Sequence, residues 1–236
     1  MNDNLNQQTK KTTRAQGLFV ATLVLGSGFG MVTNAAAQKL TSPPTPTAIT
    51  PPVGNAAFLL GHGEGTQGYV CLPTSPGAST ASWTVKDARP EATLFSSFFG
   101  QDIQLITHFL SPDTKPNDAA PIPLPFGSAT WQSSFDSSKV WAQKLHAIPA
   151  GSDPSCPNNG AIACLLLQSI GADQGPTGGK LLTKTTFIQR LNTKGGSAPA
   201  DGCSDTHDVG NQVLVPYSAD YYFFHADDAD HETARF

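Results

Sequence analysis

The chain has 236 residues, 14% of them charged, with 22 glycines, 19 prolines and a formal net charge of −4. A sparsely charged, acidic protein without a basic run has little to offer a phosphate backbone, so nucleic acid is excluded as a partner. Once the leader described next is set aside, about 200 residues remain, enough for one domain with its own core.

The N-terminus reads as a targeting segment. Lys10, Lys11 and Arg14 precede an uncharged run from Gly17 to Val32, and Ala35, Ala36 and Ala37 follow as small residues before Gln38. The run is interrupted by glycines and falls short of the roughly 20 apolar residues a bilayer requires. A Sec-type signal peptide over residues 1–37 is therefore expected, with cleavage after Ala37, rather than a membrane anchor. Because that segment holds three basic residues and Asp3, its removal takes the net charge from −4 to −6. The expected product is exported, periplasmic or extracellular, with no integral membrane segment after cleavage.

Residues 38–54 are rich in Pro and Thr and read as an extended tether. Residues 55–225 then break into short apolar or alternating stretches separated by turn residues. Strands are predicted near Ala57–Leu60, Gln67–Cys71, Ser82–Lys86, Gln104–Leu110, Ala129–Phe135, Val140–His146, Thr185–Leu191, Gln212–Val215 and Asp220–His225. Ala161–Ile170 fits either a buried strand or a short core helix, since periodicity does not separate them. Many short strands with Gly/Pro punctuation predict an all-β fold, a single antiparallel β-sandwich or β-barrel domain with long Gly/Pro-rich loops. Residues 226–236 read as a polar C-terminal tail.

The four cysteines, Cys71, Cys156, Cys164 and Cys203, all follow the leader, and an even number in an exported chain points to two disulfides. Three connectivities are possible. The preferred one joins Cys156 to Cys164 across a short Pro/Asn/Gly loop and Cys71 to Cys203 over a long span. No C-x-x-C pair and no histidines at ligand spacing are present, so no metal site is expected. Gly175 to Lys180 (GPTGGK) ends like a phosphate-binding loop, but Gln174 stands where the first glycine belongs and Leu181 where Ser or Thr belongs, so it reads as a turn. After the leader there is no G-x-G-x-x-G, G-x-S-x-G or H-E-x-x-H, and no cofactor is expected.

Three residues stand out because their surroundings are apolar. His108, in QLITHFL, needs a hydrogen-bond partner, either a backbone carbonyl or a catalytic group. Arg190, in FIQRLN, and Asp220, in YSADYYFF, are charges among strand formers and are costly there unless paired. An Arg190–Asp220 ion pair would satisfy both; otherwise Arg190 lines a pocket and offers its donors to an anionic or hydroxylated ligand. His62 in GHGEG and His207 in CSDTHD read as turn residues, and His225 to His231 as solvated tail.

The sequence also resembles the exported bacterial and fungal family catalogued as domain of unknown function 3455. The resemblance rests on Gly65 to Cys71 (GTQGYVC), Trp83, His108, Thr130-Trp131, Leu165 to Leu167, Ile188 to Gly196 (IQRLNTKGG), Ala198-Pro199 with Cys203, and Val215 to Phe223 (VPYSADYYF). It implies an exported β-rich domain and nominates His108, Trp131, Arg190, Thr193, Tyr217 and Asp220 as site positions. Cys71 and Cys203 also fall within these motifs. Two functions follow as expectations. The first is a non-catalytic module that binds a small molecule or glycan through Trp131, Arg190, Thr193 and Tyr217. The second is a hydrolase or isomerase with His108 as general base, Asp220 or Asp136 orienting it, and Arg190 stabilising negative charge.

Overall fold

The computed structural model describes residues 40–85, 91–98, 100–111 and 128–227. The expected leader, the Pro-rich loop at 112–127 and the tail beyond residue 227 lie outside them. The described elements are a 3₁₀ turn (Thr47–Ile49) and nine strands: β1 (Asn55–Pro73), β2 (Ala81–Thr84), β3 (Glu91–Phe98), β4 (Gln101–Ser111), β5 (Ser128–Ser133), β6 (Lys139–Ile148), β7 (Cys164–Asp173), β8 (Thr185–Gly195) and β9 (Gln212–Ala226).

All pairings are antiparallel, in the order β1-β3-β4-β5-β6-β7-β8-β9, and β9 returns to pair with β1 from Asn55↔Ala226 to Val70↔Gln212. The ring therefore closes into an eight-stranded barrel, with β2 attached to the end of β1 that runs past β3. Closure leaves β1 and β9 without the exposed edges an open sheet would carry. Of the two expected architectures, the barrel is the one formed.

Residues alternate between the two faces of each strand, and β9 shows this plainly. Tyr217, Ala219, Tyr221 and Phe223 belong to the inner core, together with Leu94, Ile106, Trp131, Val140, Leu167 and Ile188. Tyr222 and Phe224 join a second cluster on the outer face, with Cys156, Cys164, Leu166 and Leu191. An eight-stranded barrel has an interior that side chains can fill or that can hold one small ligand.

Several sequence expectations change. Gly61 to Gly65 is not a turn between two strands but the middle of one 19-residue strand. Its glycines face inward: a Cβ on Gly61 would lie 2.9 Å from Leu94 Cβ, and one on Gly63 would lie 2.8 Å from the Tyr221 ring. The strands predicted at Gln212–Val215 and Asp220–His225 are likewise one strand, β9. Strand β3 was not expected at all, and the ambiguous Ala161–Ile170 stretch contributes strand β7. The Pro/Thr-rich segment also differs from a free tether. Ile49 is fully buried, Leu40 packs against the same outer cluster, and Gln189 Nε2 donates to Ile49 O at 2.7 Å and to Thr45 Oγ1 at 3.2 Å. Apolar Leu40 and Ile49 find a ready-made surface in the outer cluster that composition alone does not reveal.

Both disulfides form as expected, Cys71–Cys203 and Cys156–Cys164. Among the described residues, no helix is long and apolar enough to cross a membrane.

Candidate functional site

The inner wall carries a polar and aromatic hoop. The pairings Tyr217↔Gly65, Gly65↔Ala92, Ala92↔His108 and His108↔Trp131 place these residues side by side on one face. Gly65 and Ala92 are small, which leaves room for the larger rings around them. The His108 imidazole stacks on Trp131 with centroids 4.1 Å apart and planes 7° from parallel, and Tyr221 lies 6.0 Å and 6.3 Å from the two rings. The Tyr217 and Tyr221 hydroxyls are hydrogen-bonded at 2.8 Å.

His108 Nδ1 lies 2.9 Å from Thr130 O. A carbonyl only accepts, so Nδ1 carries the proton and Nε2 the lone pair. Burial pushes the His108 pKa down to about 4; the Thr130 carbonyl opposes the shift and the Arg190 charge adds to it. The folded state thus binds fewer protons than the unfolded chain. The associated stability is complete above the ordinary histidine value of about 6.5 and is lost as pH falls from there toward 4, to an extent on the order of 3 kcal/mol. Denaturant titrations between pH 7 and 4 should show that slope, and His108→Gln should flatten it.

Arg190 is also on the inner face, opposite Leu165 and Tyr221. Its Nε and Nη2 both donate to the carbonyl of Ala163, at 3.3 Å and 2.9 Å. That uses two of the five guanidinium N–H groups. Among the described residues no carboxylate pairs with it, the side chain stays partly exposed, and its charge reaches Tyr69, His108 and Tyr217.

The expected Arg190–Asp220 pair does not form. The partners of Asp220 are Leu191 and His62, so its carboxylate belongs to the outer face and a sheet thickness separates it from Arg190. For the same reason Asp220 does not orient His108. Asp136 does not either. It sits in the β5–β6 turn, where its carboxylate accepts from Leu181 N, Ser138 N and Ser138 Oγ. Burial pushes the Asp136 carboxyl up, but these donors, Leu181 first, hold it at about 2. The buried hydroxyl of Thr193 donates to Ile162 O at 2.6 Å and lies against the sulfurs of Cys156 and Cys164. Trp131 stacks on His108 on the inner wall, and Tyr217 is buried on the same wall with its hydroxyl bonded to that of Tyr221.

A second constellation occupies the outer face, and sequence reasoning missed two of its members. His62 Nδ1 meets Asp220 Oδ1 at 2.7 Å, and Asn192 Nδ2 donates to Asp220 Oδ2 at 2.7 Å. Asn192 sits in a bulge between Leu191 and Lys194 with φ of +50°, a left-handed conformation that Asn tolerates better than most residues. The three flank a groove of about 490 Å³ that also touches Glu64, Asn158 and Lys194. The signal for His62 lies in G-H-G-E-G read at period two, which puts glycines on one face and polar groups on the other.

The remaining motifs behave as turns. In GPTGGK, Gly178 N donates to Gly175 O and Gly175 N to Gly179 O. In CSDTHD, Asp205 and Asp208 accept from the backbone N–H groups of His207 and Ser204. Among the described residues no three His, Cys, Asp or Glu side chains gather as metal ligands.

A closed antiparallel barrel with stacked rings on its inner wall, and there an arginine that no carboxylate pairs among the described residues, defines a small β-barrel protein. Within that class, the chain belongs to the family described as protein of unknown function (DUF3455), whose model matches residues 52–225. No curated protein and no solved structure matched the chain.

Proposed function

We propose that the protein is exported to an oxidising compartment and that the inner wall of its barrel is a non-catalytic binding site, taking a small anionic or hydroxyl-rich molecule at Arg190. The observation that carries this reading is the guanidinium itself. A charge on the inner wall of a barrel is costly without a counter-charge, and Arg190 has one backbone carbonyl and no carboxylate among the described residues. Its remaining donors match a carboxylate, sulfate or vicinal diol in geometry. The Arg190 charge is felt at Tyr69, Tyr217 and His108, which bring polar atoms to a largely apolar wall. The two disulfides suit the oxidising setting.

The test is a thermal-shift screen of small carboxylates, sulfated compounds and sugars against the protein and its Arg190→Met variant. Arg190→Met should fold with stability equal to or above that of the parent, because it removes an unpaired charge while keeping the stem. A ligand at 100 times its Kd adds about 2.7 kcal/mol, roughly 5–10 °C in Tm for a domain of this size. That shift should appear for the parent and vanish in Arg190→Met. Equal shifts in both proteins, or none across the panel, would rule the reading out.

A further inference from the structure

We propose that the outer groove is a hydrolytic site for small esters, with His62 as general base and Asp220 and Asn192 as its positioning residues. This site is separate from the Arg190 position, since Asp220 and Arg190 lie on opposite faces of the sheet.

Geometry gives His62 a defined role. Asp220 Oδ1 accepts from Nδ1, which places the lone pair on Nε2, directed away from Asp220. His62 is 56% exposed while Asp220 is 21% exposed, so the base is reachable and its anchor is sheltered. Asp220 cannot swing away easily, because Asn192 holds its second oxygen at 2.7 Å. Asn192 is in turn fixed by its own N–H, which donates to Ser155 O at 2.9 Å. A non-glycine residue kept at positive φ persists only when its surroundings hold it. Here the strained residue is the one that orients the carboxylate behind the histidine.

No hydroxyl or thiol is hydrogen-bonded to His62 among the described residues, so the nucleophile this base would activate is water. Nε2 takes a proton from water as the water oxygen attacks the ester carbon, and the carbonyl π pair moves onto oxygen. Lys194, on the groove wall without an acidic partner among the described residues, supplies the positive charge that oxygen needs. Collapse of the tetrahedral adduct breaks the bond to the alkoxide, which recovers the proton from the His62 imidazolium. Acid and alcohol leave, and the site returns to its starting state with no other reactant.

The test uses p-nitrophenyl acetate as the probe on the whole protein, with His62→Gln, Asp220→Asn and Asn192→Gly as variants and His146→Gln and His207→Gln as controls. The parent should hydrolyse the probe at least tenfold faster than free imidazole at equal concentration. His62→Gln should remove that excess, Asp220→Asn most of it and Asn192→Gly part of it, while the controls retain the parent rate. His62 is exposed, so its variant should fold; a thermal melt verifies each protein. Nitrogen-15 NMR of the imidazoles gives a readout that a purely structural role would not move. The parent should show His62 protonated on Nδ1, and Asp220→Asn should redistribute the proton between the two nitrogens. A parent rate no greater than that of imidazole overturns the proposal. So does full activity in His62→Gln, or an Asp220→Asn protein unchanged in both rate and tautomer. Should Asp220→Asn fail to fold, the His62→Gln rate and the parent's tautomer decide.

Discussion

Replacing Cys71 and Cys203 together by serine is expected to lower the unfolding free energy by about 5 kcal/mol, the value chain entropy assigns to a loop of this size. The bridge spans 132 residues, against 8 for Cys156–Cys164, whose loss should cost about 2.5 kcal/mol on the same basis. Position adds to length. Cys71 lies where β1 runs past β3, pairing with Trp83 of β2, and its N–H and C=O bond Asn211 O and Gly210 N. The Trp83 indole donates to Asp201 O, so β2 and the loop carrying Cys203 are pinned to each other as well. Without the disulfide, that corner rests on a few backbone bonds. Equilibrium denaturation of both double-serine variants gives the comparison directly, and the longer bridge should be worth roughly 10–20 °C in Tm. A reversed order, or a loss below about 1 kcal/mol for the long bridge, would contradict the chain-entropy account.

Gly65→Ala is the second large effect. At Gly54, Gly77, Gly100, Gly160, Gly178 and Gly210 an added methyl would meet nothing within 4 Å. Gly65 instead faces inward in β1, and a Cβ there would overlap the carbonyl oxygen of Glu91 and lie 2.6 Å from the Ala92 Cα. Both obstacles are backbone of the neighbouring strand, so no rotamer change relieves them. The substitution pushes β1 and β3 apart at the point where Ala92 passes the chain on to His108. Overpacking of a core commonly costs 1–3 kcal/mol; with backbone on the far side, a loss of about 3 kcal/mol or more is expected. Gly63→Ala should be milder, since its obstacle is the edge of the Tyr221 ring, a side chain that can shift. The pair of melts tests this ranking, and a Gly65→Ala protein as stable as the parent would refute the close approach.

How much was legible in the sequence follows from which quantities are local. Cys156–Cys164 was legible because its spacing is local, and Cys71–Cys203 was the preferred complement among three connectivities; most strands were legible because β-formers and turn residues alternate along the chain. Facing is another matter. Arg190 and Asp220 both read as charges in apolar strands, but whether they meet depends on register parity between β8 and β9, and the residue opposite Arg190 is Tyr221. A one-residue change in register moves a side chain to the other face, and a bulge such as that at Asn192 makes parity harder still to read. The Gly61–Gly65 stretch was misread because glycine ordinarily signals a turn, whereas here Leu94 and Tyr221 supply the volume the glycines lack. Strand β3 escaped notice because its buried residues, Ala92 and Leu94, give too short an alternation before Phe95 and the Ser96-Ser97 pair interrupt it. His108 was the simplest case: a buried imidazole on a carbonyl was one of its two readings, and Thr130 provides the carbonyl.

The pairing of β1 with β9 bears on when the molecule can fold. The first strand's longest partner is the last one, more than 150 positions away at Asn55↔Ala226. Folding is slowest where contacts join distant parts of a chain, and here no partial chain can make the contact that completes the ring. Until β9 arrives, β1 and β8 each present an unsatisfied edge to whatever is nearby. A chain built this way reaches its native state only after β9 has been synthesised, and it remains threadable up to that moment. Any truncation before Gln212 would leave it in that condition permanently, with two adhesive edges where the closing strand belongs.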